Sequence, residues 1–101
     1  MSELDKYDVK EFFDELDRAV SELSAIQLLV FVTHARNQWT PERIAQHLKS
    51  LPIGESEVKR ELESVYSDIR RRLIERFGPD GFTDFQRNRE ALRQYARRYL
   101  L

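Results

Sequence analysis

The sequence predicts an all-α domain of about five helices, and three observations carry that prediction. Apolar residues recur at three- and four-residue spacing through successive stretches of the chain. Three Gly and three Pro in 101 residues are too few for the many tight turns of a sandwich or barrel. Residues that start and stop helices fall between the periodic stretches. The length fits one domain, residues 1–101, and a hydrophobic fraction of 41% beside a charged fraction of 35% excludes a disordered chain.

The first helix is expected to start at Asp8, with Glu11 three residues on as a capping box. Val9, Phe12, Phe13, Leu16, Ala19, Val20 and Leu23 follow at helical spacing. Ser24 can cap a second helix carrying Ile26, Leu28, Leu29, Val30, Phe31, Val32 and Ala35. That run is apolar nearly all round, which predicts the central, most buried element. Its β-branched residues also suit a strand, but no partner strand exists elsewhere. Thr40-Pro41-Glu42 combines an N-cap, a proline at the first helical position and an acid in the first turn, and so starts a short third helix with Ile44, Ala45 and Leu48. Leu51-Pro52-Ile53-Gly54 breaks it. A long fourth helix is predicted from about Ser56 to Phe77, with the stripe Val58, Leu62, Val65, Tyr66, Ile69, Leu73 and Phe77. Gly78-Pro79 stops it, with glycine in the left-handed closing position. Thr83 with Gln86 reads as a capping box for a last helix bearing Phe85, Leu92, Tyr95, Ala96 and Tyr99.

Composition excludes several function classes. Without Cys there is no disulfide, thiolate zinc site or Cys nucleophile. Met1 to Lys10 is acidic and polar and does not read as a secretory signal. Leu28 to Val32 is the longest apolar run, far short of the ~20 residues that span a bilayer, so the expectation is a cytoplasmic protein with no membrane partner. His34 and His47 have no carboxylate spaced to make a metal site, and each reads as a partly buried helix residue. Acid pairs such as Asp14-Glu15 read as solvated surface. No phosphate loop or nucleophile elbow occurs. The sequence therefore predicts no catalytic residues, no cofactor and no metal, and a protein that binds instead of catalysing.

Charge is unevenly spread. The net charge is −1, yet residues 1–24 hold eight acids against three bases and residues 84–101 hold five bases against two acids. Arg89, Arg93 and Arg97 are four apart and line one side of the last helix beside an aromatic stripe. They are candidate anion- or partner-binding residues, and the acidic first helix of the same chain or of a second copy is the competing partner. Arg70, Arg71, Arg72 and Arg76 complement the dipole at the end of the fourth helix, and Asp68 with Arg72 makes a favourable i,i+4 pair. Trp39, just ahead of Thr40-Pro41, reads as a hydrophobic staple or core anchor.

One motif points to a function. Trp39-Thr-Pro-Glu-Arg-Ile-Ala-Gln-His-Leu, followed by Ile53-Gly-Glu-Ser-Glu-Val-Lys-Arg-Glu-Leu, resembles the helix-turn-helix of sigma-factor region four and of response-regulator output domains. Ile26 to Arg36 resembles that family's preceding helix. Ile44-Ala45 and Leu48 match its short helix, and Ser56, Val58, Lys59 and Arg60 match the recognition helix. The similarity covers roughly residues 25–77. The stretch from Leu48 to Val58 is about three residues longer than the family's tight turn, and the fourth helix opens on Glu55, Ser56 and Glu57. The resemblance implies a small DNA-binding or transcription-associated regulator in which Ser56, Lys59, Arg60 and Ser64 face duplex DNA. The alternative on the same scaffold is a protein–protein interaction module, a helical adaptor or polymerase-associated factor that does not read DNA. A homodimer is expected in either case, because the two long helices carry much apolar surface for a 101-residue monomer.

Overall fold

The chain is all-α. A computed structural model describes residues 9–81 and 89–99, apart from the side chains of Val9 and Arg89. Within them lie α1 (Val9–Val20), α2 (Ala25–Asn37), α3 (Pro41–His47), α4 (Glu55–Phe77) and α5 (Arg89–Ala96), with no strand among the described residues. The β-branched run of the second stretch is therefore helical. The two proposed capping residues Asp8 and Thr83, together with Phe85 and Gln86, lie outside the described residues.

Local chemistry sets the ends of the helices. Ser24 accepts from the backbone N–H of Gln27, and Gln27 Oε1 accepts from the Ser24 backbone N–H at 3.0 Å, a reciprocal capping box. Thr40 Oγ1 accepts from the Arg43 backbone N–H at 3.2 Å, and Pro41 occupies the first helical position. α2 ends on Gln38 with a φ of +58°, which is unusual for a residue with a side chain. Its amide answers the His34 carbonyl at 2.7 Å, and its Nε2 donates to the Ala35 carbonyl at 3.1 Å. α5 stops at Ala96 and runs out through turns to Tyr99, short of the longer last helix the sequence suggests.

Gly78 closes α4, but not in the expected left-handed turn. Its φ of +91° is paired with a ψ of −180°, backbone that essentially only glycine adopts. A Cβ there would touch nothing within 4 Å, so the cost of a side chain is conformational alone. Gly78→Ala is expected to destabilise by about 1–3 kcal/mol, read as a lowered thermal midpoint. Gly54→Ala is the comparison: it has no positive φ and equally open space, so it should lose only the N-cap preference for glycine over alanine, about 1 kcal/mol or less.

Two cores share α2 and α4. The larger joins Phe12, Leu16 and Ala19 of α1, Phe31, Val32 and Ala35 of α2, Val65, Ile69 and Leu73 of α4, and Leu92, Tyr95 and Ala96 of α5. Phe12 stacks on Phe77 with ring centroids 4.4 Å apart. The smaller joins Val30 of α2, Ile44 of α3, Leu48 and Ile53 of the connection, and Val58 and Leu62 of α4. Tyr66 packs against both. α2 is thus central as expected, though its first turn is not: Ile26 is 41% exposed. The apolar stripe of α4 is covered within the single chain.

Ion pairs tie α1 and the turn after it to the second half of α4. Glu15 is buried beside Arg76 Nη1 at 3.0 Å and Arg18 Nη1 at 3.2 Å. The reading of Asp14-Glu15 as solvated surface therefore holds for Asp14 and fails for Glu15. Arg72 reaches Glu22 as well as its expected i,i+4 partner Asp68, at 2.9 Å. No described helix is long and apolar enough to cross a membrane.

Candidate nucleic-acid interface

The smaller core positions the candidate site. α3 is only seven residues long and would not hold its shape alone. Ile44, fully buried, fixes it between α2 and α4. Trp39, just before the N-cap, packs against the same cluster as Ile44 four positions into the helix, the arrangement of a hydrophobic staple. The long connection is taken up locally. The Leu51 amide bonds the Leu48 carbonyl at 2.8 Å, and the Ile53 amide bonds the Leu51 carbonyl at 2.8 Å. This folding returns Ile53 to the core five residues ahead of Val58, so Leu48, Ile53 and Val58 share one cluster with Leu51 packed against it.

The first half of α4 then has two distinct faces. Val58, Leu62 and Val65 are buried. Ser56, Lys59, Arg60 and Ser64 are all exposed, and at spacings of three and four they form one outward face. Glu63 and Ser67 belong to that face as well. The sequence reading selected only the residue types that donate to DNA; continuing the helical spacing would have found both. Arg60 is 72% exposed in its side chain and 3.7 Å from Glu61, a loose surface pair that costs little to break. Glu55 and Glu57 stand exposed at the helix start.

On α3 the Arg43 guanidinium lies 4.3 Å from the centroid of the Trp39 ring, and the His47 ring meets the same indole edge-on at 5.1 Å. Residues 39, 43 and 47, four apart, make one stripe of contacting side chains. His47 is exposed, contrary to its reading as partly buried.

The second candidate group is not assembled in the same way. Arg93 and Arg97 lie 3.6 and 3.7 Å from Glu90 of their own helix. Arg89 opens α5, and its side chain is outside the described residues. The acidic first helix meets α5 instead through Asp17, which accepts from Tyr95 Oη at 2.7 Å and lies 3.6 Å from Arg98. Arg98 also covers the rings of Phe13 and Tyr95.

His34 joins α2 to α4 behind the site. Its Nδ1 is 2.9 Å from Tyr66 Oη, with the two rings edge-on. Burial pushes the His34 imidazole below its ordinary 6.5 and the Tyr66 phenol above its ordinary 10. At neutral pH both groups are therefore uncharged, and they share one hydrogen bond. As pH falls, the unfolded chain takes up a proton at about 6.5 while the folded chain resists, so this stabilisation is complete above that value and is lost below it. The unfolding free energy of the native chain, from urea titrations, is expected to drop more steeply below pH 6.5 than that of His34→Gln, by up to about 1.4 kcal/mol per pH unit. Parallel pH profiles for the two proteins would contradict that assignment.

Among the described residues no group of three or more His, Asp or Glu is placed to hold a metal ion. No family model, no curated protein and no solved structure matches the chain.

Proposed function

We propose that this protein is a small transcription-associated regulator that binds duplex DNA through α2, α3 and α4. One observation carries the reading: Ser56, Lys59, Arg60 and Ser64 stand exposed on one face of a helix whose opposite face is anchored in a core built with the two preceding helices. That arrangement holds a helix rigid while presenting it to a groove. Lys59, Arg60 and Arg43 supply cations for phosphates or base edges, and the serines donate without bulk. A single helix face of this length covers one half-site, so the reading includes a twofold pair of chains on the DNA.

The test is a titration of a labelled mixed-sequence duplex with the full chain at several salt concentrations. Neutralising three or four phosphates predicts an affinity loss of roughly 40- to 150-fold between 50 and 200 mM salt. Lys59→Ala is expected to weaken binding across sequences and to reduce the salt slope by about one. Absence of binding at tens of micromolar protein in low salt would sink the reading.

A protein-docking role on the same scaffold is the alternative. The exposed acids Glu55, Glu57 and Glu63 favour it, because the phosphate backbone repels them. In that case a partner protein, and no duplex, would protect the α4 face.

A further inference from the structure

Arg60 lies close to the centre of the outward face of α4. Ser56 and Ser64 are four residues to either side of it, and Ser67 is seven residues on. All three are exposed, and their short side chains let the helix backbone approach a surface closely around Arg60. Glu63 sits one turn beyond Arg60 on the same face, exposed. Lys59 is four residues before it, yet the two are not bridged, and Arg60 turns to Glu61 instead. Lysine ahead of glutamate is also the weaker order for an i,i+4 pair. Glu63 is thus a carboxylate held out at the middle of a face that otherwise donates.

A carboxylate in that place weakens attraction to phosphates. In the major groove, however, it has one matching partner, the exocyclic amino group of cytosine, just as arginine matches the O6 and N7 of guanine. Residues three apart on a helix are separated by about 4.5 Å along its axis, close to the roughly 3.4 Å between successive bases. From this we propose that Arg60 and Glu63 are the specificity residues of the α4 face, reading a guanine and a cytosine in neighbouring base pairs. The target is then a duplex with two adjacent G·C pairs, and Glu63 rejects other bases at its own position. This inference rests on the DNA-binding reading.

The experiment is selection from a randomised duplex pool by the native chain, by Glu63→Gln and by Arg60→Ala. Glutamine pairs with adenine, not cytosine. The native chain is expected to enrich two neighbouring G·C pairs with roughly 5- to 150-fold discrimination at each. Glu63→Gln should exchange the cytosine for an adenine at one position and leave its neighbour unchanged. Arg60→Ala should relax the neighbouring guanine. Both side chains are exposed, so unchanged circular dichroism is expected in both variants. Identical enriched sequences for the native chain and Glu63→Gln would overturn the inference while leaving DNA binding intact. A native chain that retains no duplex at low salt would overturn both.

Discussion

Phe31→Ala is expected to cost about 3–5 kcal/mol and to lower the thermal midpoint by roughly 20 °C. Phe31 is fully buried in the larger core and meets the Tyr66 ring edge-on at 5.6 Å. It lies on α2, which packs on α3, α4 and α5, so a cavity there is not confined to one interface. Its removal also takes away the aromatic pair, which adds about 0.5–1.5 kcal/mol beyond area burial. Domains of this size hold only about 5–15 kcal/mol of net stability, so the variant should be marginal at 37 °C. Lys59→Ala, on the exposed face of α4, should stay within about 0.5 kcal/mol of the native chain. A Phe31→Ala midpoint within a few degrees of native would mean that α2 is not the shared centre.

Ile44→Ala tests the smaller core and should cost about 2–5 kcal/mol. Alanine is the best helix former, so the substitution does not penalise α3 by propensity; it empties the space between Val30, Val58 and Leu62. Seven residues cannot sustain a helix without that anchor. Hydrogen exchange is therefore expected to accelerate most over residues 40–54, ahead of α1 and α5. On the proposed DNA-binding reading, duplex affinity should fall as well, although no exposed residue has changed. Uniform acceleration along the chain would indicate a single cooperative core in place of two joined through Tyr66.

The parts of this fold that were legible in sequence are those fixed by near neighbours. Thr40-Pro41 placed the start of α3, Ser24 capped α2, and the spacing of Val58, Leu62, Val65, Ile69 and Leu73 gave the buried face of α4. Long-range pairing was hidden. Glu15 is buried because Arg76, 61 residues away, lies against it, and no local pattern in α1 announces that. The left-handed Gln38 was equally invisible, since glutamine carries no preference for that backbone. Ile26 belongs to an apolar run but faces outward, because α2 is covered mainly along its later turns. Of the candidate site, Ser56, Lys59, Arg60 and Ser64 do share one exposed face, as the helical period requires. The arginine ladder of the last helix was read from the same period, but Glu90 draws Arg93 and Arg97 back along their own helix.

The long turn between α3 and α4 also follows from simple physics. Extra residues are tolerated where the chain can satisfy its own backbone and return an apolar anchor to the core. Leu48 and Leu51 accept the two turn bonds, and Ile53 is the anchor.

The measurement that tests the central claim most directly is a residue-by-residue map of amide chemical shifts in the full chain as a short duplex with adjacent G·C pairs is added. Binding through the α3–α4 face predicts shifts concentrated at Trp39 to His47 and Ser56 to Ser67, fading as salt is raised. Shifts centred on α1 or on Arg93 and Arg97, or none at all at low salt, would contradict it.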